Sequence, residues 1–175
     1  MGKLIFILGG ARAGKSTFAL ELAKKSGKKK VFIATAMPSD SEMRQRIKEH
    51  KKNRPRNWET IEITKNLDKE IERQKNGTIL IDCLTIYVSH LINLKEPEIL
   101  NHIKKTIEAI KKSGAEIIVV SNEVGAGIHP NNKLGRYYRD VLGRVNQIFA
   151  RASDEFYVMF AGIPVDIKKW KKSGK

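Results

Sequence analysis

A glycine-rich loop followed directly by lysine and serine is the stretch of this sequence best suited to chemistry. It has the spacing G-x-x-x-x-G-K-[ST]. In such a loop backbone N–H groups point inward at phosphate oxygens, the lysine reaches the β- and γ-phosphates, and the serine hydroxyl can bind Mg²⁺. We therefore predict that this segment, the phosphate loop, binds a nucleoside triphosphate. Its residues are Gly9, Gly10, Ala11, Arg12, Ala13, Gly14, Lys15 and Ser16.

The residues around the phosphate loop predict the elements that must hold it. An apolar run, Leu4–Leu8, is typical of a buried strand, and the apolar spacing of Phe18, Leu20 and Leu22 is that of a helix beginning at about Lys15. The amino end of that helix would add partial positive charge beside the phosphates. A turn that matches the motif by accident is the alternative, and the order of strand, loop and helix argues against it.

A carboxylate at the end of a second apolar run predicts the partner of the loop. Thr78–Asp82 has the composition of a buried strand and follows the turn signal Asn76-Gly77. Asp82 would organise Mg²⁺ together with Ser16 and balance charge on the transferred phosphoryl group. The alternative is that Asp82 caps the following helix, and we favour the metal because a phosphate loop requires such a partner.

One histidine among cations could act as a nucleophile. His50 ends a polar segment that is predicted to be a surface helix, Ser41–His50, and is followed by Lys51, Lys52, Arg54 and Arg56. Such a histidine could attack a nucleotide α-phosphate while its basic neighbours neutralise the released pyrophosphate. An inert surface histidine is the alternative, and the residues alone favour it.

The remaining reactive side chains carry weaker signals. His90, His102 and His129 have no metal-ligand spacing with one another or with Cys83, so no zinc site is predicted, and Cys83 is expected to be a small buried side chain. Three arginines could clamp phosphate or pair along a helix. These are Arg136, Arg139 and Arg144.

Length and charge limit the classes of protein. A chain of 175 residues with no membrane-length apolar run and no cleavable signal predicts a single domain, residues 1–175, in the cytoplasm. The net charge of +15 fits either a nucleic-acid-binding protein or a basic surface for phosphorylated ligands. Basic stretches interleaved with aromatic residues are missing from the sequence, which counts against nucleic acid.

Strand and helix patterns alternate along the chain. Such alternation predicts an α/β fold of the phosphate-loop (P-loop) NTPase type, a mostly parallel sheet with helices on both faces and ligands at the carboxyl ends of its strands. Gly9, Thr35, Asp82, Ser121 and Gly162 fall at those ends. Further strands are predicted at Val31–Ala36, Glu59–Ile63, Glu116–Ser121 and Phe156–Ala161, the last followed by a lysine-rich tail.

Several separate motifs follow one another along nearly the whole chain. They are GGARAGKS, residues 33–36, Glu42-Met43 with Arg46-Ile47 and His50, Arg54-Pro55 with Trp58, residues 81–85, residues 121–125, and Arg139-Asp140 with Gly143, Asn146 and Gln147. In this order they resemble a known family, the bifunctional adenosylcobinamide kinase/adenosylcobinamide-phosphate guanylyltransferases of cobalamin biosynthesis.

The resemblance implies two reactions. ATP or GTP would phosphorylate adenosylcobinamide, and GTP would then donate GMP to adenosylcobinamide phosphate through a guanylylated His50, giving adenosylcobinamide-GDP and pyrophosphate. It also implies a homo-oligomer, commonly a trimer, which would help explain exposed apolar residues between Ile86 and Leu94. Nucleotide contacts are implied, beyond the phosphate loop, at Ala34, Thr35, Ala36, Lys51, Lys52, Asn53, Arg54, Glu62 and Asp82.

The sequence departs from the family at two positions. The family usually has Ser where Ala13 stands and Asn where His90 stands. Two other functions stay open at this point: a phosphate-loop kinase acting on another small molecule, and an NTPase that binds nucleic acid through its positive charge.

Overall fold

One sheet with helices packed against it makes up the structure, a computed structural model that describes residues 1–26, 29–37, 41–52 and 57–173. The strands are β1 (Lys3–Gly9), β2 (Lys30–Ala34), β3 (Glu59–Glu62), β4 (Thr78–Asp82), β5 (Glu116–Asn122), β6 (Glu155–Phe160) and β7 (Ile163–Asp166). The helices are α1 (Lys15–Lys25), α2 (Ser41–Lys52), α3 (Leu67–Arg73), α4 (Leu84–His90), α5 (Glu96–Lys112), α6 (Lys133–Ala152) and α7 (Ile167–Ser173).

The order of the strands fixes where the site lies. In the described part of the chain the sheet runs β3-β2-β4-β5-β1-β6-β7, and all neighbouring pairs are parallel except β6 and β7. The carboxyl ends of six strands therefore meet at one edge of the sheet, where parallel sheets bind ligands. The predicted α/β fold with a mostly parallel sheet is confirmed.

The two faces of the sheet are covered by different helices because side chains alternate along each strand. On one face Leu4 and Phe6 of β1 pack in a core formed with α3, α4, α5 and α6. On the other face Ile5 and Ile7 pack with residues of α1. Phe6 stacks on Phe149 and Phe156, with ring centroids 5.7 and 5.5 Å away. Helices therefore cover both faces, as the alternating pattern predicts.

The end of the chain corrects the sequence-based assignment. Phe156–Ala161 was expected to be the last strand and the lysine-rich end a tail, but β7 follows and pairs antiparallel with β6, and α7 follows β7. Ala161 and Gly162 make the tight turn with φ values of 48° and 87°. The short segment Ile163–Asp166 contains a proline, which at a sheet edge need not donate to a neighbouring strand.

The apolar segment after Asp82 matches expectation only in part. Residues between Ile86 and Leu94 were expected to be partly exposed, and Ile86, Ile92 and Leu94 are half-buried. Tyr87, Val88 and Leu91 are instead buried in the core on the α3–α6 face, a tertiary contact that the local pattern does not reveal. Within the part of the chain that is described, no helix is both long and apolar enough to cross a membrane.

Candidate nucleotide and phosphoryl-transfer site

The phosphate loop connects the carboxyl end of β1 to the first turn of α1. Gly14 precedes the helix with a left-handed φ of 88°, and Arg12 has a φ of 57°. The Ala13 N–H donates to the Gly10 carbonyl oxygen at 3.3 Å, and the Phe18 N–H donates to the Gly14 carbonyl oxygen at 3.1 Å. The loop is thus a tight turn that leads directly into a helix amino end, the arrangement that favours phosphate.

The turn between β6 and β7 closes around the loop. The Gly162 N–H donates to the Ala13 carbonyl oxygen at 3.2 Å. A Cβ at Gly14 would lie 3.2 Å from the Gly162 Cα, and a Cβ at Gly9 would lie 2.8 Å from the Met159 carbonyl oxygen. Both glycines are therefore needed for close backbone packing as well as for phosphate access. Sequence reasoning found these glycines but missed their packing against the turn. Gly162, a glycine directly after a predicted strand, could have indicated such a close approach.

The side chain of Lys15 is buried against the phosphate loop. Its side chain is 7% exposed, and Nζ donates to the Gly10 carbonyl oxygen at 2.6 Å. Burial lowers the pKa of Lys15, while Cys83 and Asp82 nearby act in the opposite direction. The buried Lys15 ammonium thus lies within the phosphate loop, where it could also bond a phosphate that binds there.

Ser16 and Asp82 supply oxygen ligands on neighbouring elements. Ser16 is in the first turn of α1, and Asp82 ends β4, close enough to Lys15 for its charge to act on the pKa of that lysine. A hydroxyl and a carboxylate are ligands that Mg²⁺ prefers, and Mg²⁺ commonly takes the rest of its shell from phosphates and water. The donor set at this place therefore fits the predicted metal.

Cys83 follows Asp82 and is a buried free cysteine. Its thiol is buried, and burial raises its pKa to about 11, with the nearby Asp82 carboxylate acting in the same direction. A thiol with so high a pKa is protonated at neutral pH and is a poor nucleophile. The structure thus agrees with the sequence in giving Cys83 a packing role.

Thr35 joins the ends of two strands. Its hydroxyl donates to the Cys83 carbonyl oxygen at 2.8 Å and accepts from the Cys83 N–H at 2.9 Å. His90 Nε2 lies 2.8 Å from the Thr35 carbonyl oxygen. Thr35 is fully buried and Ala34 nearly so, whereas Ala36 is half-buried. The side chain of Thr35 is therefore engaged within the chain, and β2 ends at Ala34, before the predicted Ala36.

The carboxyl end of α2 lies beside the edge strand β3. Lys51 Nζ contacts Glu62 Oε1 at 2.7 Å, and both side chains are about half exposed. This ion pair brings the last turn of α2, which includes His50, to the same edge of the sheet as the phosphate loop. The side chains of His50 and Lys52, and all of Asn53 and Arg54, lie outside the described residues.

The three candidate arginines have partners within the chain. Arg136 donates to the carbonyl oxygens of Pro130 and Asn131, at 3.1 and 2.8 Å. Arg139 bonds Asp140 at 3.0 Å, and Arg144 pairs with Glu96. Only Arg139 pairs along its own helix as the alternative predicts, whereas Arg144 pairs with a residue of α5 and Arg136 holds the loop between β5 and α6.

Sequence reasoning missed a buried polar network at the end of β5. The Ser121 hydroxyl donates to Asn146 Oδ1 at 2.7 Å, and Asn146 Nδ2 donates to the Asn122 carbonyl oxygen at 3.2 Å. The Asn122 N–H donates to the Thr85 hydroxyl at 2.7 Å. These bonds tie α4 and α6 to the strand that lies between the phosphate loop and Asp82. Asn146 within the apolar stripe of α6 was the available signal.

A family model matches residues 5–167, nearly the whole chain. Its description is cobinamide kinase / cobinamide phosphate guanyltransferase. The chain belongs to this family. The match confirms the resemblance seen in the motifs and favours it over both alternative functions.

Curated relatives agree with the family match. The chain is 38% identical to the bifunctional adenosylcobalamin biosynthesis protein CobU of Salmonella typhimurium and 36% identical to that of Escherichia coli K12, each over 94% of this chain and 99% of the relative. It is 37% identical to the bifunctional adenosylcobalamin biosynthesis protein CobP of Pseudomonas aeruginosa, over 93% of this chain and 95% of that protein.

Solved structures share the fold at low sequence identity. A prototypical ATPase from a bacterial type III secretion system aligns over 95% of this chain and 57% of its own, with a TM-score of 0.55 and 12% identity. The type III secretion ATPase EscN of enteropathogenic Escherichia coli aligns over 94% of this chain and 48% of its own, with a TM-score of 0.54 and 13% identity. The similarity confirms a P-loop NTPase-like α/β fold.

Proposed function

We propose that this protein carries out both of its family's reactions at the edge where the strands end. The phosphate loop would hold ATP or GTP while the hydroxyl of adenosylcobinamide takes the γ-phosphoryl group. GTP would then transfer GMP to adenosylcobinamide phosphate, giving adenosylcobinamide-GDP and pyrophosphate. The observation that carries this proposal is the ion pair Lys51–Glu62, which brings the helix end bearing His50 to the edge that holds the phosphate loop.

The first reaction depends on charge stabilisation by the loop. Lys15 would stabilise the charge that develops on the β- and γ-phosphate oxygens, and backbone N–H groups of residues 9–16 would hold the phosphates in place. Mg²⁺ held by Ser16 and Asp82 would neutralise charge on the same oxygens. Because Lys15 is almost fully buried, its interaction with phosphate is weakly screened by water.

The second reaction requires a nucleophile toward the α-phosphate. A ring nitrogen of His50 would form a bond to the α-phosphorus as the bond to the pyrophosphate oxygen breaks, leaving GMP on His50. The acceptor phosphate would then take GMP and free the ring. Glu62 would hold the guanine or ribose through hydrogen bonds to its carboxylate, together with the basic residues Lys51–Arg54.

Trapping the intermediate tests this proposal. The protein is incubated with Mg²⁺ and GTP labelled at the α-phosphate, without corrinoid, and its denatured mass is measured. We expect one GMP adduct, stable to base and labile to acid, that is missing in His50→Ala. His102→Ala is the matched control, since His102 is a half-buried histidine on α5, a helix that carries no proposed site residue. An adduct that persists in His50→Ala would remove His50 from the mechanism.

Quaternary structure and location complete the proposal. We propose a homo-oligomer, a trimer by family resemblance, and what supports it is apolar exposure near β7, where Phe160, Ile163 and Trp170 are all at least 66% exposed. Analytical ultracentrifugation tests this, and a monomer at micromolar concentration would contradict it. The cytoplasm is the proposed location, since both donors are nucleoside triphosphates.

A further inference from the structure

The kinase reaction has a chemical need that the guanylyl transfer lacks. The acceptor in the first reaction is a hydroxyl, which must lose its proton as its oxygen attacks phosphorus. The acceptor in the second reaction is a phosphate monoester, whose second pKa is about 6, so it is ionised at neutral pH. A general base is therefore required for one reaction only.

Glu123 stands at the place where such a base is needed. It follows β5, which lies between β1 and β4 in the sheet. Asn122 is paired with Gly9 on one side, and Val120 is paired with Asp82 on the other. Glu123 thus projects one residue beyond the strand that separates the phosphate loop from the proposed metal ligand.

Main-chain bonds hold Glu123 at this position. Its N–H donates to the carbonyl oxygen of Gly9, the first residue of the phosphate loop, at 3.0 Å. Its Oε1 accepts from the Gly125 N–H at 2.6 Å, and Val124 packs against the core. The side chain itself is exposed at the edge. The carboxylate is therefore positioned by the loop backbone and open to an acceptor.

Several other described candidates at this edge have partners within the chain. Glu62, on β3 at the far side of the sheet, pairs with Lys51 of α2, and Asp140 pairs with Arg139. His129 Nδ1 accepts from the Arg139 guanidinium at 2.6 Å. A neutral His129 ring therefore carries its proton on Nε2, and Nε2 cannot accept a proton from the substrate. Asp82 is the proposed Mg²⁺ ligand.

We propose that Glu123 is the general base of the kinase reaction. The acceptor oxygen forms a bond to the γ-phosphorus, and its proton passes to the Glu123 carboxylate. The bond between the γ-phosphorus and the β–γ bridging oxygen breaks, and its electron pair stays on that oxygen of the departing nucleoside diphosphate. This proposal rests on the proposed function, because the acceptor hydroxyl is that of adenosylcobinamide.

The test compares the two reactions in Glu123→Gln. Glutamine keeps an oxygen that can accept from the Gly125 N–H but cannot take the proton. With ATP and adenosylcobinamide, kcat is expected to fall about 100-fold or more, the usual contribution of a general base, with little change in KM for ATP. With GTP and adenosylcobinamide phosphate prepared using the wild-type protein, the rate of GMP transfer is expected to stay within about threefold of wild type.

Two further variants define the outcome. Glu123→Asp should recover part of the lost kcat because it restores a carboxylate, and Glu108→Gln, on the exposed face of α5, should change neither reaction. Equal loss of both reactions in Glu123→Gln would show that Glu123 supports the loop and would overturn the proposal, as would an unchanged kcat. A wild-type protein that forms the GMP adduct but does not phosphorylate adenosylcobinamide would overturn the proposed kinase function, and this proposal with it.

Discussion

The phosphate loop and the carboxyl end of α2, the two places where groups are proposed to be transferred, are held in different ways. The loop lies at the end of β1, inside the sheet, and backbone hydrogen bonds fix it to Glu123 and Gly162. The end of α2 is joined to edge strand β3 by the half-exposed pair Lys51–Glu62. Four strand spacings separate β3 from β1, about 19 Å at roughly 4.8 Å each.

Because the two places are held differently, the two reactions should be sensitive to different substitutions. Backbone contacts survive most side-chain replacements, so phosphate binding should fail only when Lys15 or a packed glycine is changed. An exposed ion pair contributes about 0–1 kcal/mol to the free energy of unfolding. Lys51–Glu62 therefore positions α2 but stabilises the protein little. Guanylyl transfer should therefore respond to side chains that barely affect folding.

Replacing Lys15 should have the largest effect. Lys15→Met is expected to lower kcat of the kinase reaction about 100- to 1,000-fold, since it removes the cation that stabilises the phosphoryl group in the transition state. Steady-state kinetics with ATP and adenosylcobinamide measure it. Lys25→Met, at the exposed end of α1, is the control and should keep wild-type kcat. An equal loss in both variants would remove the special role of Lys15.

The same variant separates activity from stability. Burial lowers the pKa of Lys15, so the folded state disfavours the charged form of this side chain. The resulting loss of stability is fully present below the folded-state pKa of Lys15. It disappears as the pH rises from that pKa through the ordinary pKa of a lysine. At pH 7 Lys15→Met should therefore unfold at a Tm no lower than that of wild type, and its advantage should shrink in alkaline solution. Calorimetry at both pH values checks the sign.

Thr35→Val should affect stability more than catalysis. The change leaves the buried Cys83 N–H without its acceptor and removes the hydroxyl donor from the Cys83 carbonyl oxygen, which keeps the Tyr87 N–H. The free energy of unfolding should therefore fall by about 1–3 kcal/mol. Urea unfolding measures this, with Thr60→Val on exposed β3 as the control. A large rise in KM for GTP with unchanged stability would instead assign the hydroxyl to the nucleotide.

Breaking the ion pair at α2 should have the smallest effect on stability. Lys51→Ala is expected to lower the free energy of unfolding by less than about 1 kcal/mol, because the pair is half exposed. The rate of GMP adduct formation should fall by more than so small a loss of stability explains, since Lys51 neighbours His50. Lys48→Ala, exposed on the same helix, provides the comparison. Equal rates in the two variants would show that Lys51 acts only as surface charge.

Secondary-structure elements that depend on neighbouring residues could be predicted from the sequence alone. Residues 4–22 predict a strand, a phosphate loop and a helix, and the structure has β1, the loop and α1 there, because apolar spacing and glycine chemistry act over a few residues. The assignment of Asp82 to the end of β4 is confirmed for the same reason. The family resemblance also came from motifs that are visible in sequence order.

Tertiary structure decided what depends on distant residues. Only the strand order shows that β5 separates β1 from β4 and so places Glu123 between the phosphate loop and Asp82. Only the packing shows that Gly162 closes on Gly14 and that Tyr87 is buried in the core, where its hydroxyl accepts from the Leu67 N–H. These contacts join segments that lie far apart along the chain, and local propensity carries no information about which segments will meet.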